Sequence, residues 1–422
     1  MDYRVSKTEG LRGVVDAPPS KSYTHRAFVL ASLARGESRI RDYLSSGDTM
    51  ATIEACRALG AGIRIETEGS EAVVEGTAGR LTTPSDVIDC ENSGTTIRLI
   101  TAVSALDGTV TLTGDPSLRK RPMQPLLEAL GQLGVRAVSL GGGGRPPVRV
   151  HGGELRGGEA RIRGDVSSQF ISALLIVSPY AREEVRITIT SPLKSRPYVD
   201  MTLEAMRRFG VEAENLGYEG FRVRSGCYRG TAYQVEGDYS NASYFLALAA
   251  MTRSEITIRN LSRDSLQGDR RILDYLEMMG AEVDRGENAV TVRGGTLRGI
   301  KADLGDTPDL VPTIAALGCT ARGETVIRNV EHARHKESDR IAACATEFRK
   351  LGARIRETRD GLIIRGGELK GAVVDSWGDH RLAMALTIAG MAASGETVIR
   401  GAEAVRISYP GFFEALESLR QG

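Results

Sequence analysis

The sequence predicts an α/β protein of two similar lobes, each made of three βαβαββ repeats whose buried helices are wrapped by sheets. Three observations carry that expectation. A strand-like segment with alternating β-branched and polar residues recurs six times, at steps of 72, 75, 71, 69 and 72 residues. A stretch rich in Ala, Leu and Ile precedes each copy. A second, amphipathic stretch follows most copies and stops at a glycine. Alternation with period two marks a half-buried strand, and a helix apolar nearly all round must be buried.

The recurring strand reads GESRIRD from Gly36, DGTVTLTG from Asp107, REEVRITIT from Arg182, RSEITIRN from Arg253, GETVIRN from Gly323 and GETVIRG from Gly395. The apolar helices that precede it are expected over 22–34, 94–106, 169–180, 241–251, 310–321 and 381–393. The amphipathic helices end at Gly60, Gly134, Gly210, Gly280 and Gly352. Glycine there takes the left-handed conformation without a Cβ penalty. The chain is expected to cross between lobes near 16–19 and near Gly237. One lobe then comprises 17–237. The other comprises 1–16 plus 238–422, with the first strand in the C-terminal half and the active site in the cleft between the lobes. A solenoid scaffold is the alternative, but these strands vary more than solenoid repeats do.

Composition narrows the function. Of 422 residues, 41% are apolar and 26% charged, enough for a large core and a polar surface. Lys plus Arg number 55 against 54 Asp plus Glu, which disfavours a nucleic-acid binder. No apolar run reaches the roughly 18 residues of a membrane span, and the N-terminal stretch carries no signal-peptide core. Five scattered cysteines without a CxxC pair fit a reducing cytoplasm. Neither an HExxH pair nor a Walker, GxSxG or GxGxxG motif occurs.

The segments before the apolar helices are polar and alike: PPSKSYTHRA (18–27), CENSGTTIR (90–98), GDVSSQF (164–170), GDYSNASYF (237–245), GDTPDLVPT (305–313) and WGDHRLAM (377–384). Ser, Asn and Asp there cap free backbone N–H groups. Each helix start also carries about half a positive charge, so three on one lobe attract an anion. Lys21, Arg26, Arg98 and Arg381 stand in the same segments. Further basic clusters lie at 117–123, 192–198 and 332–340; in the last, Lys336 and Arg340 are expected as i,i+4 neighbours on one helix face, beside Glu337. Only eight of the 55 cations are lysine, yet Lys21 and Lys336 hold the most motif-like positions. Lysine changes protonation with its environment where arginine does not. The pattern indicates a small, highly anionic ligand and proton-coupled chemistry.

These motifs, with NSGTTIRL, RPM, SRPYVDMTL, VEGDYSNASYFLA, TPD, HKESDR, DHRLAM and SYPGFFEAL, resemble the EPSP synthase (3-phosphoshikimate 1-carboxyvinyltransferase) family in order over nearly the whole chain. The resemblance implies enolpyruvyl transfer from phosphoenolpyruvate to the 5-hydroxyl of shikimate 3-phosphate by addition and elimination, in the shikimate pathway to aromatic amino acids. It implies no metal or organic cofactor, two small-molecule substrates, no nucleic acid or membrane, and a cytoplasmic monomer that opens and closes. Glyphosate would compete with phosphoenolpyruvate where Gly94 leaves space. By motif, Lys21, Ser22, Arg26, Ser167, Ser168, Gln169, Ser195, Tyr198, Asp309, His332 and Lys336 would bind shikimate 3-phosphate. Lys21, Asn92, Gly94, Arg121, Gln169, Arg340 and Arg381 would bind phosphoenolpyruvate. Asp309, Glu337, Lys21 and Lys336 would be catalytic, with Asp309 as base for the 5-hydroxyl and Glu337 as acid and base at the methylene carbon.

Three positions depart from the family pattern. Glu91 stands where Gly is expected, His332 where some relatives have Asn, and Ile407, beside Arg406, where some have Lys. The rival reading is the enolpyruvyl transferase of UDP-N-acetylglucosamine, but its loop cysteine is missing from 114–121. A non-catalytic anion binder would keep Lys21 and the arginines without combining Asp309 with Lys336 and Glu337. An RNA 3′-phosphate cyclase would need a nucleotide-reactive His and a more basic surface.

Overall fold

The recurring strand becomes an inner strand in each of six small sheets. In the computed structural model, which describes residues 1–421, the repeat Gly158–Ile162, helix Ser168–Val177, Val185–Ile189, helix Arg196–Arg208, Ala213–Asn215 and Gly220–Val223 shows the plan. The first strand pairs parallel with the second, which pairs antiparallel with the fourth, and the third lies at the far edge. Parallel pairing needs a long crossover, supplied by the buried helix; the antiparallel third and fourth strands need only a hairpin.

The repeats do not follow one another intact, as a plain sixfold βαβαββ series would. Glu37–Arg41 takes its parallel partner from Ala232–Gln234, almost 200 residues later. Glu255–Arg259 takes its own from Arg12–Asp16, near the N-terminus. The last sheet has three strands: Val373–Asp375 and Glu396–Arg400 are joined antiparallel by Asp2–Ser6, so the first strand of the chain finishes the last repeat. In place of its own hairpin that repeat ends in the helix Phe412–Gln421.

Two compact units result, Pro19–Val235, and Met1–Pro18 with Glu236–Gly422. Each has its own apolar core. The apolar helices lie inside these cores. In Tyr239–Met251 and His380–Ala392 every residue but the last is buried. The glycines that stop the amphipathic helices, Gly60, Gly134, Gly210, Gly280 and Gly352, all take φ between 84° and 101°. Ser20, Ser93, Ser167, Asp238 and Asp379 cap five of the six buried helices through their side chains. The sixth, Val311–Thr320, instead begins with the 3-10 turn Pro308–Leu310.

Strand alternation gives a direct test. Val15 is 5% exposed and faces the core, while neighbouring Val14 is 53% exposed. Val15→Ala is expected to destabilise by about 2 kcal/mol, the lost methyls plus a residual cavity. Val14→Ala should stay within about 0.5 kcal/mol. Equal effects in urea denaturation would contradict the assigned register.

Candidate functional site

In the unit Pro19–Val235, Ser20 caps the helix Lys21–Leu33 and leaves Lys21 in its first position. The Lys21 ammonium donates to Asp48, at 2.8 Å, and both are buried. Asp48 stands in the first turn of the helix Gly47–Ala58. Arg26, five residues on, is 1% exposed. Its guanidinium donates to Thr202 Oγ1 at 2.8 Å, to the carbonyls of Ser22 and Tyr198 at 2.9 Å each, and to Ser172 Oγ at 3.4 Å. Every acceptor is neutral. Burial pushes its pKa down to about 10, because no carboxylate offsets the desolvated charge. The same field reaches His25, which burial, then Lys21 and Arg26, hold well below its usual pKa. A buried cation with only dipolar partners favours an incoming anion.

The residues around Arg26 suit that anion. Ser168, buried, lies one turn before Ser172 on its helix, and Ser167 caps that helix. Ser22 and Tyr198 are half-buried. Ser195, before the helix Arg196–Arg208, is held at φ 56°, in the left-handed region.

A second cluster gathers on the neighbouring helix starts. The Gln169 amide donates to Thr95 Oγ1 at 2.7 Å, and its oxygen accepts from Arg98 at 2.5 Å. Arg98 also lies over the Phe170 ring, 5.3 Å from its centre. Arg121 donates to Asn92 at 2.8 Å, and Asn92 in turn to Asp115 at 2.6 Å. A Cβ at Gly94 would sit 2.8 Å from one Arg121 nitrogen and 3.1 Å from an Arg98 nitrogen. Gly94 therefore admits two guanidinium groups side by side. Thr96 links this cluster to the carbonyl of Asp48 at 3.3 Å. Glu91 carries φ 50°, a backbone state in which glycine would be unstrained, and its carboxylate lies close to Gly47.

The other unit gathers three cations and three carboxylates. Asp309, in the turn Pro308–Leu310, binds Arg340 at 2.6 Å and Lys336 at 3.5 Å through one oxygen, and Arg381 at 3.3 Å through the other. Arg340 is 1% exposed. It also pairs with Glu337 at 2.7 Å and with Asp379 at 2.9 Å. Burial opposes the charge of Arg340, but Asp379, Glu337 and Asp309 raise its pKa well above the guanidinium value. Arg381 also donates to Asn241 at 3.1 Å; burial opposes its charge too, and Asp309 raises its pKa. Three helix starts thus meet at one point: that of Asn241, that of Asp309 and that of Arg381.

Lys336 and Arg340 do not share a helix face. The segment Glu331–His335 is a 3-10 helix, Lys336 is extended, and the helix Arg340–Lys350 begins only after its cap, Asp339. The two cations converge on Asp309 from different local structures. His332 is buried within that 3-10 segment. Ile407 packs against the core of its unit, with Arg406 exposed beside it.

The structure adds residues that motif reading did not single out as ligands or partners. Arg98 was visible as a basic residue at a helix start. Asp379 and Asn241 read from sequence as caps or helix polar groups, Asp48 stands in no motif, and only the fold shows them against Arg340, Arg381 and Lys21. Asp269 is another: it is buried, accepts a hydrogen bond from Ser240, and lies within the field of Asp309. Among the described residues, no group of three or more His, Cys, Asp or Glu is placed to hold a metal ion, and no helix is long and apolar enough to cross a membrane.

A family model for EPSP synthase (3-phosphoshikimate 1-carboxyvinyltransferase) matches residues 5–416. The chain belongs to this family. It is 49% identical over 420 residues to the 3-phosphoshikimate 1-carboxyvinyltransferase of Methanocaldococcus jannaschii, covering 98% of this chain and 97% of that protein. It is 52% identical over 419 residues to the enzyme of that name from Methanothermobacter thermautotrophicus, covering 99% and 98%. Among solved structures, EPSP synthase of Acinetobacter baumannii superposes with a TM-score of 0.83 at 28% identity, over 99% of this chain and 98% of that one.

Asp269 yields a pH test within this family site. Burial and then Asp309 push its pKa up to about 7 from an ordinary 3.8. The folded protein keeps this proton in a range where the unfolded chain releases it. The resulting stability is present below about pH 4 and is lost as pH rises through about 7. Asp269→Asn should remove that loss. Its denaturation midpoint should gain on the wild type between about pH 5 and about pH 8; a constant difference across that range would refute the assignment.

Proposed function

We propose that the protein transfers the enolpyruvyl group of phosphoenolpyruvate to the 5-hydroxyl of shikimate 3-phosphate, releasing phosphate. Its family membership and near-half identity to archaeal 3-phosphoshikimate 1-carboxyvinyltransferases support the reaction. The observation that carries the substrate assignment is Arg26, a buried guanidinium with neutral partners only, bonded to the helix start at Ser22, to Ser172 on the helix that opens at Ser167 and Ser168, and to Tyr198 and Thr202 on the helix that follows Ser195. Such a site suits the 3-phosphate, and Tyr198 would border the ring. Asn92, Gly94, Arg98, Arg121 and Gln169, with Lys21, are this unit's candidates for binding phosphoenolpyruvate, and Arg340 and Arg381 are those of the other unit.

The two clusters serve one reaction in this reading. The substrate oxygen bonds to the central carbon of phosphoenolpyruvate as its methylene gains a proton. The carbon–oxygen bond to phosphate then breaks, and the new methyl group returns a proton to restore the methylene. Asp309 would take the hydroxyl proton, Glu337 would exchange the proton at the methylene carbon, and Lys336, with His332, would hold shikimate beside both. In the structure the Asp309 carboxylate is paired with Arg340, Lys336 and Arg381. Phosphate and carboxylate groups that claim the N–H donors of Arg340 and Arg381 would leave its oxygens open to accept the hydroxyl proton.

The sugar-nucleotide reading fares worse. Cys90, the cysteine nearest 114–121 in sequence, is fully buried, with its thiol pKa raised by burial. It is not placed to react. The five free thiols suit a reducing compartment such as the cytoplasm.

Two measurements test the proposal. Phosphate release from phosphoenolpyruvate should occur with shikimate 3-phosphate and not with UDP-N-acetylglucosamine, and Asp309→Ala should slow it by about 10²–10⁴-fold. Release with the sugar nucleotide would move the protein to the sister activity; silence with both would leave an anion binder. Separately, Gly94→Ala pushes on the flexible ends of Arg121 and Arg98. It should raise KM for phosphoenolpyruvate about tenfold, with the thermal midpoint unchanged. An unaltered KM would place phosphoenolpyruvate elsewhere.

A further inference from the structure

Glu347 is a buried carboxylate that the reaction does not use. It is 1% exposed, on the helix whose first residue is Arg340. One of its oxygens accepts the indole N–H of Trp377 at 2.8 Å, and the other the backbone N–H of Asp375 at 2.9 Å. The Lys350 ammonium donates to both, at 2.8 and 2.7 Å. Burying a carboxylate is costly unless it is fully engaged, and this one is engaged by a turn rather than by the core.

That turn leads into the site. The Trp377 N–H donates to Asp375 at 2.7 Å, and Ser376, fully buried, accepts from the backbone of Gly378 at 3.2 Å through its hydroxyl and from that of Asp379 at 2.9 Å through its carbonyl. Trp377 and Gly378 both lie at positive φ, 55° and 67°, so the chain bends sharply between Asp375 and Asp379. Asp379 then caps the next helix and holds Arg340. Residues 340 and 347 lie two helical turns apart on one face, about 10 Å along the axis. A single helix therefore holds the turn at both ends, by Glu347 at Asp375 and Trp377 and by Arg340 at Asp379.

We propose that Glu347 is a positioning residue: it fixes the turn 375–379, and through Asp379 it sets the guanidinium of Arg340 for its anionic ligand. The proposal rests on reading Arg340 as a phosphoenolpyruvate ligand. Glu347→Ala should raise KM for phosphoenolpyruvate about tenfold, while KM for shikimate 3-phosphate stays constant and kcat changes less than about threefold. Glu347→Gln, which keeps one acceptor, should recover most of that loss. Trp377→Phe, which removes only the indole donor, should show a smaller rise in the same constant. Trp377 is the sole tryptophan, so its emission reports the turn directly and should shift in Glu347→Ala.

Arg340→Ala separates the two levels of the argument. If it leaves KM for phosphoenolpyruvate unmoved, the reading of Arg340 fails, and this proposal with it. If Arg340→Ala raises that KM but Glu347→Ala and Trp377→Phe, both folded, leave it at the wild-type value, Glu347 is structural only. Equal rises in both substrate constants would likewise overturn the positioning role. Should Glu347→Ala not fold, Trp377→Phe decides: a rise in that KM alone supports the proposal, and an unmoved KM overturns it.

Discussion

Two arginines with almost no exposed surface govern how their surroundings are built. A guanidinium removed from water must be compensated, and the two units do this in opposite ways. Arg26 receives four oxygens without formal charge, so its positive charge stays largely unspent. Arg340 receives three carboxylates, and its charge is cancelled locally. The first arrangement leaves a positive charge that favours a nearby anion. The second can exchange partners, since an incoming phosphate or carboxylate competes with groups already in place. Binding and acid–base chemistry can therefore be divided between two units with the same repeat.

Repetition places these groups where they are needed. Buried helices cannot end in the core without satisfying their first N–H groups, and Ser or Asp caps do so in five of the six. The exception is informative. Pro308–Leu310 opens with a 3-10 turn, and Asp309, in its middle, is not spent as a cap. The carboxylate proposed as the base sits at the one helix start that departs from the pattern.

Much of this was legible in the sequence because it is local. Apolar runs, cap residues and stop glycines lie within a few positions of what they determine. The order of strands was not, because parallel partners such as Ala232–Gln234 and Glu37–Arg41 are chosen across the whole unit. The i,i+4 reading of Lys336 and Arg340 failed because Asp339 starts the helix between them. Asp379 was hidden for a related reason. An aspartate near a helix start looks like a cap, and Asp379 both caps a helix and binds Arg340. The positive φ of Glu91 could not have been read from composition, although the expectation of glycine there was consistent with it.

The borrowed first strand bears on how the protein is made. Tyr3 pairs with Ile399, so the first strand waits while some 396 further residues are made. At about 5–20 residues per second the delay is roughly 20–80 s. All strands of Pro19–Val235, by contrast, are present once residue 235 has been made. That unit can fold during translation, while the unit carrying the carboxylate cluster can complete its sheets only after Arg400 has been made. Arg12–Asp16 lacks its partner until Glu255–Arg259 is made, and Asp2–Ser6 until Glu396–Arg400 is made, and their exposed edges are where a nascent chain would need protection from aggregation.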